Sequence, residues 1–309
     1  MINRVLHIIF LFAALTASAQ QLPLFSQYTF NRFGFNPAYA GNKNRLEAVL
    51  THRNHLLNFP GAPTTQLLTV SAPWQAKYMG FGMRVQNDNI GVTNHLSFNL
   101  AANYFLGLGD GRLAMGLELG LDQYSVDWSS LVVHDAGDAI IPVGKTSIYT
   151  PNGAFGLFYT TENWYAGYSV QNLVGSRLHF QGPVLDNSAH QYAHHYINAG
   201  GVKKINDKFQ VEPYFLLKGT AAAPWQVDLG AYLVFKNNYG AGVTYRTGDA
   251  LVFSMKIEIL EQFYVGYSFE TRINSLTDYS SSSHEIMLAY YYKLLEPARK
   301  KIIHPRYYF

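Results

Sequence analysis

The 309-residue chain contains no cysteine. That excludes a disulfide framework, a thiolate metal site and a lipid-modified cysteine near the start. Charge is scarce as well. Asp, Glu, Lys and Arg make up 14% of the residues, against a soluble norm of about 25%. The formal charge is only +3, and no stretch gathers Lys and Arg into a broad phosphate-binding face. Nucleic acid is therefore not expected as a partner. Beyond residue 19 no apolar run approaches the ~18–20 residues of a transmembrane helix. No nucleophile-elbow pattern is present either.

What remains is rich in Tyr (23), Gly (26) and aromatic residues in general (15%). The chain opens on a different note. Arg4 is followed by an apolar run over 5–15 and by Ala17-Ser18-Ala19. This is the order of a secretory signal peptide, with cleavage expected after Ala19. The mature chain would then stay in the periplasm, leave the cell, or cross the outer membrane as a barrel.

Period-2 alternation recurs through the mature chain. Over 112–122, Leu113, Met115, Leu117, Leu119 and Leu121 share one face, and Arg112, Ala114, Gly116, Glu118, Gly120 and Asp122 the other. The same pattern returns over 95–104 and 250–259. It predicts fourteen strands, at 46–56, 64–72, 79–87, 95–105, 111–122, 152–159, 164–170, 192–203, 209–218, 225–235, 239–246, 250–259, 263–269 and 284–293. Links after even-numbered strands are short, with turn residues such as Gly109-Asp110-Gly111 and Asn237-Asn238. The three longest links, 123–151, 171–191 and 270–283, all follow odd-numbered strands. Outer-membrane barrels pair tight periplasmic turns with longer external loops in this way. An even strand count also puts both ends of the barrel in the periplasm.

The expectation is an all-β fold: a transmembrane antiparallel up-and-down β-barrel of about 14 strands in the outer membrane. Residues 1–19 are the signal peptide, 20–45 an aromatic N-terminal segment, 46–293 the barrel and 294–309 a basic periplasmic tail. The apolar face would meet outer-membrane lipid. Arg84, Arg112, Glu118, Glu212, Asp228, Lys256 and Glu258 would face the lumen, since Lys or Arg at mid-membrane facing lipid costs roughly 2–4 kcal/mol. A soluble sandwich or propeller with one buried face would alternate in the same way. The signal peptide, the link asymmetry and aromatic strand ends (Tyr264, Tyr267, Tyr290, Tyr291, Tyr292) favour the barrel.

The segment before the first strand carries Phe25-Ser26-Gln27-Tyr28, Phe30-Asn31 and Asn36-Pro37-Ala38-Tyr39-Ala40-Gly41. It reads either as a lid at the periplasmic mouth or as a plug or partner-docking element. Downstream come Arg53-Asn54, Gly61-Ala62-Pro63-Thr64-Thr65, Gly80-Phe81-Gly82 with Asn87-Asp88-Asn89-Ile90-Gly91, and Ser283-His284-Glu285-Ile286. The tail ends Pro305-Arg306-Tyr307-Tyr308-Phe309. Taken in order, these motifs resemble the PorP/SprF family of Bacteroidetes outer-membrane proteins over nearly the whole mature chain. Arg32-Phe33-Gly34-Phe35 departs from the family pattern, which puts the local turn in question.

The resemblance implies a non-enzymatic component of the type IX secretion and gliding machinery. Its partners would be a secreted adhesin or other cargo with a C-terminal sorting domain, and periplasmic ring or scaffold subunits. No cofactor is implied. The alternatives are a passive channel for small solutes and an outer-membrane enzyme. Three clusters bear on the last. His190, His194 and His195 with Asp186 carry metal-ligand chemistry, but His194 and His195 fall on opposite faces of a strand. His134-Asp135 and Asp138 lack a serine elbow. Asn87-Asp88-Asn89 resembles half a calcium loop without the later Glu and reads as turn chemistry.

Overall fold

The structure, a computed structural model, describes residues 23, 25–74, 78–131, 144–175, 177–179, 188–221, 223–236, 238–274, 277 and 282–294. Fourteen strands form the wall. They are β1 (Arg45–Asn54), β2 (Thr64–Trp74), β3 (Met79–Ile90), β4 (Thr93–Leu108), β5 (Gly111–Asp127), β6 (Lys145–Thr160) and β7 (Trp164–Gln171). The second half comprises β8 (His194–Gly201), β9 (Phe209–Thr220), β10 (Ala223–Phe235), β11 (Tyr239–Arg246), β12 (Ala250–Leu260), β13 (Phe263–Arg272) and β14 (Ser282–Lys293). Each pairs antiparallel with its sequence neighbours. β1 pairs with β14, Arg45 opposite Lys293, and β8 joins β7 to β9. The sheet is therefore a closed barrel with no free edge, the form hydrocarbon demands of strands.

The two faces part as alternation requires. Leu50, Leu68, Phe98, Leu100, Leu117, Leu119 (75% exposed), Phe253, Met255 and Ile286 point outward. Arg53, Thr69, Arg84, Asn99, Glu118, Asp228, Arg246, Ser268, Glu270 and Glu285 are buried inside. This inverts a soluble protein, where the exposed face is polar, and matches a barrel whose outer band meets lipid. Trp74, Tyr78, Trp164, Tyr239 and Tyr292 lie exposed at one end of the barrel, the end with the short turns. They form the aromatic girdle typical of a membrane interface. We call that end the inner end. The opposite end, bearing 55–63, 128–144, 172–193 and 273–281, is the outer end.

Several strands run further than alternation predicts. The 123–151 link shrinks to 128–144, because β5 and β6 stay paired out to Asp127 opposite Lys145. The hydrophobic signal fades there because outward positions such as Gln123 clear the hydrocarbon, while the ladder itself continues. Likewise, Asn87-Asp88-Asn89 is strand, not turn. β3 runs to Ile90, and the turn falls at Gly91 (φ +56°) and Val92. The 171–191 link becomes 172–193 and holds a small hairpin, Arg177–His179 with Ser188–His190.

The lumen is the protein's core. Its buried apolar clusters join wall residues to residues 28–40. Tyr28 and Phe35 pack with Tyr196, Tyr214, Leu216, Tyr232 and Val234. Phe33, Ala38, Tyr39 and Ala40 pack with Ala101, Phe105, Ala114 and Phe158.

Candidate functional site

The feature that sets this barrel's chemistry is the segment 25–42 threaded through its interior. At the inner end Gly41 (φ +61°) turns the chain against the Ala72–Pro73 backbone, where a β-carbon would collide. Arg112 donates to the carbonyl and side-chain oxygens of Asn42. Two short 3-10 turns follow inward, Pro37–Tyr39 and Arg32–Gly34. The departing motif Arg32-Phe33-Gly34-Phe35 thus still makes a compact turn. Asn36 caps the first turn by accepting from Ala38 N–H (3.0 Å). Its amide also donates to the wall carbonyls of Leu157 (3.1 Å) and Tyr168 (3.3 Å).

The wall is shaped to receive this chain. Gly116 faces Ala38, and a β-carbon there would sit 2.6 Å from the Ala38 Cα. Gly82 faces the Phe33 ring. Gly80 and Gly82 of the hairpin motif, and Gly116 of β5, make space for a second backbone. Hydrogen bonds then fix the register. Asn103 donates to the carbonyl of Ala38 (2.8 Å), Ser169 to that of Phe35 (2.7 Å) and Thr69 to Asn31 (3.1 Å). Arg32 lies over the Tyr165 ring at 4.1 Å and Lys256 over Phe30 at 4.7 Å.

Toward the outer end the segment meets a buried ionic network. Glu285 accepts from the backbone N–H groups of Ser26 (2.7 Å) and Gln27 (2.9 Å). Arg53, directly opposite Glu285 in the β1–β14 register, donates to Ser26 Oγ (2.7 Å) and Glu270 (2.7 and 2.8 Å). Arg246 bridges Asp228 (3.1 Å) and Glu270 (3.1 Å). Arg272 pairs with Asp249 at the rim. Each ion is costly to bury alone, and only mutual pairing with full hydrogen bonding makes the set tolerable. His55, just past β1, has Arg53 at 2.9 Å and Arg272 at 2.7 Å from its ring nitrogens. Burial, with those two guanidiniums alongside, pushes its pKa down to about 3 and keeps the imidazole neutral. A separate pair, Arg84 with Glu118, lies across the lumen, near His95 and Asp122 (3.5 Å).

Open space lies on either side of the segment. An outer cavity of 360 Å³ is lined by Pro23, Arg53, His55, Thr65, Asp88 and Lys218, among others. An inner one of 330 Å³ touches Arg45, Glu212, Lys256 and Tyr291. Between segment and wall the gap is 20 Å³, room for about one water.

The motif residues separate by place. Ser26, Gln27, Arg53, Ser283 and Glu285 converge at the outer network, where Ser283 Oγ accepts from Leu56 N–H (3.1 Å). Phe25 and Tyr28 line the narrow gap beside it. Phe30, Asn31, Asn36, Pro37, Tyr39 and Gly41 occupy the lumen below. Gly61 and Gly91 meet at the rim, Gly91 N–H donating to the Gly61 carbonyl (3.0 Å), while Pro63 accepts from His55 N–H (2.9 Å). Asp88 points inward, taking a hydrogen bond from Thr65 (2.6 Å). Asn54, Thr64, Asn87 and His284 instead lie on the outward face, away from the network. Asn54 meets Thr64 (3.4 Å), Asn87 meets Gln66 (3.5 Å) and His284 meets the Tyr267 hydroxyl (2.7 Å). Arg306 and Phe309 lie outside the described residues.

Sequence reasoning missed Arg246, Glu270, Arg272 and Asp249. A signal did exist. A charge on the polar face of a spanning strand needs an opposite charge on the next strand, and Asp228 sits opposite Arg246 in register. For the candidate metal cluster, His194 faces inward while His195 stacks outside between Tyr168 and Trp225. Asp186, His134, Asp135, Asp138 and the His190 side chain lie outside the described residues.

Comparison with known proteins places these features. The family described as "Type IX secretion system membrane protein PorP/SprF" matches residues 17–290. No curated protein matches the chain. Solved structures that resemble it are outer-membrane barrels. The CymD monoaromatic hydrocarbon channel shares 12% identity at a TM-score of 0.50, over 89% of this chain and 94% of that one. A Pseudomonas aeruginosa FadL homologue gives 11% and 0.48, over 88% and 95%. The Acinetobacter baumannii outer membrane protein Omp33 gives 9% and 0.46, over 82% and 100%. At such identities the likeness is one of fold.

Proposed function

Because the chain belongs to the PorP/SprF family of type IX secretion system membrane proteins, we propose that it is a non-enzymatic scaffold of that system in the outer membrane. It would help secrete surface proteins, or hold them, without passing them through its own lumen. Cargo with a C-terminal sorting domain would be met by the long outer links. Periplasmic ring or scaffold subunits would be met at the inner end and by the basic tail.

One observation supports this reading above the others. The lumen is occupied by the protein's own segment 25–42, held by wall hydrogen bonds and ion pairs along its length. A barrel filled this way offers surfaces rather than a conduit. The test is affinity purification from detergent-solubilised outer membrane. Secretion-system subunits or a sorting-domain protein should co-purify. Recovery with neither would overturn the reading.

A second reading is a gated channel for small solutes, and the cavities above and below the segment favour it. Uptake of small polar solutes that falls in a deletion strain, with secretion unchanged, would favour the channel over the scaffold.

A further inference from the structure

The arginines of the lumen are not all held alike. Arg45, Arg53, Arg84, Arg246 and Arg272 each pair with a carboxylate. Arg112 is held by both oxygens of Asn42. Arg32, carried on the luminal segment, has neither kind of partner among the described residues. Its guanidinium lies over the Tyr165 ring at 4.1 Å, and that ring stacks on Phe158 (5.5 Å, 17°). Its polar neighbours are two phenols, Tyr39 at 3.4 Å and Tyr165. Nε is buried with no hydrogen-bond partner. A ring supports a guanidinium by its face and leaves the planar edge, with its donors, unused. A buried donor left in that state is costly, and an acceptor at the edge relieves the cost.

Arg32 borders the inner cavity of 330 Å³, a size within the range of small-ligand pockets, about 300–1,000 Å³. Phe30, Trp164, Tyr264 and Tyr291 give the cavity an aromatic lining. Two more cations rest on those rings. Lys256 lies over Phe30 (4.7 Å) and Tyr264 (5.0 Å), and Arg45 over Tyr291 (3.6 Å). The nearby carboxylates are engaged elsewhere. Glu47 pairs with Lys43 (3.9 Å) and Arg45 (2.8 Å). Glu212 accepts from Gln210 (2.8 Å) and, with Glu258, lies within electrostatic reach of Lys256. Glu162 sits on the exposed link 161–163. Thr161, Glu162, Asn163 and Val202 of the inner links also line the cavity, while the luminal segment fills the way to the outer end. A ligand therefore reaches Arg32 from the inner end.

We propose that the inner cavity is a receptor for a carboxylate carried beside an aromatic ring, with Arg32 as its anchor and Lys256 as the second charge. A carboxylate meets the edge of a guanidinium through two parallel hydrogen bonds. The ring of the ligand joins the aromatic lining, where ring pairs add to simple burial. Because Arg32 belongs to the luminal segment, the ligand touches the plug itself. The proposal rests on the fold of the barrel and not on any role in secretion.

Full-length protein purified in detergent is titrated with N-acetyl-phenylalanine and, in parallel, with its uncharged amide, followed by saturation-transfer NMR. The acid should bind, and the amide should bind at least about tenfold more weakly, the loss expected for a charge-assisted pair. Arg32→Gln should reduce the acid's affinity to that of the amide. Arg32→Lys keeps the charge without the fork and should restore only part of the affinity. Lys208→Gln removes a charge from an exposed inner link outside the cavity and should change nothing. Should the Arg32 variants fail to assemble, Lys256→Gln should weaken the acid by a smaller factor and leave the amide unaffected. Acetyl-Gly-Gly-Phe with a free C-terminus separates the sources. Tighter binding than the single residue marks a chain end, and equal binding a small free acid. No binding of the acid, equal affinity for acid and amide, or an assembled Arg32→Gln protein that binds as the wild type does would each overturn the proposal.

Discussion

The luminal segment is held in two different ways at its two ends. Ser26 and Gln27 are gripped by charge, through Arg53, Glu270 and Glu285. Residues 33–41 are seated by shape, with Phe33 against Gly82, Ala38 against Gly116 and Tyr39 edge-on to Phe158 at 5.1 Å. Charge gives orientation at a high desolvation cost. Shape gives close packing that admits almost no substitution on either side. The two grips share the wall between them: ions on β1, β10, β11, β13 and β14, and glycines on β3 and β5.

Substitutions that attack one grip at a time sharpen this contrast. The largest effect is expected at the charged end. Arg53→Ala strips Glu285 of its guanidinium and leaves Glu270 with Arg246 alone, and removing one partner of a buried pair costs about 3–5 kcal/mol. The urea midpoint of the refolded barrel in lipid should drop accordingly, and adding Glu270→Gln should recover part of the loss. A drop no larger than that of a surface substitution would break the contrast.

At the shaped end, Gly116→Val forces atoms into the Ala38 backbone. Overpacking of this kind costs about 1–3 kcal/mol. The segment should become sensitive to protease while the barrel stays heat-modifiable on gels. An unchanged, protected segment would show that the glycine seat is not tight.

Acid should weaken the charged end in a distinctive way. His55 is kept neutral in the folded protein, with a pKa of about 3, whereas the unfolded chain takes up a proton near pH 6.5. Its contribution is therefore complete above pH 6.5 and is lost as pH falls from there toward 3. The slope is at most about 1.4 kcal/mol per pH unit. His55→Asn should remove that slope between pH 6 and pH 5, leaving the dependence of the carboxylates. Parallel curves for wild type and variant would count against the neutral imidazole.

The smallest effect concerns one neutral hydrogen bond. Ser169→Ala frees the Phe35 carbonyl and should cost about 1 kcal/mol. Amide exchange of residues 33–36 should rise without a change in the remainder of the lumen.

Most of the wall could be read in the sequence because a spanning strand writes its faces in period 2. The number of strands, the inner turns and the inward charges Arg84, Glu118 and Asp228 all follow from that pattern. It fails where the physics changes. Past Leu121 the outward positions leave the hydrocarbon, so the ladder over Gln123–Asp127 carries no hydrophobic signal. Asn87-Asp88-Asn89 looks like a turn because polar residues on both faces of a strand also occur at a rim. The luminal path was hidden for a different reason. Aromatic residues at 25, 28, 30, 33 and 35 mark a sticky segment, but what they stick to depends on Gly82, Gly116 and Glu285, far away in sequence. Their spacing along the chain carries no sign of which element they receive.

The filled lumen is the point on which the scaffold reading turns, and conductance across a planar bilayer measures it directly. The intact protein should remain closed to ions, and deletion of residues 23–42 with the wall kept whole should open a steady conductance. Steady conductance through the intact protein, or an equally closed barrel after the deletion, would contradict it.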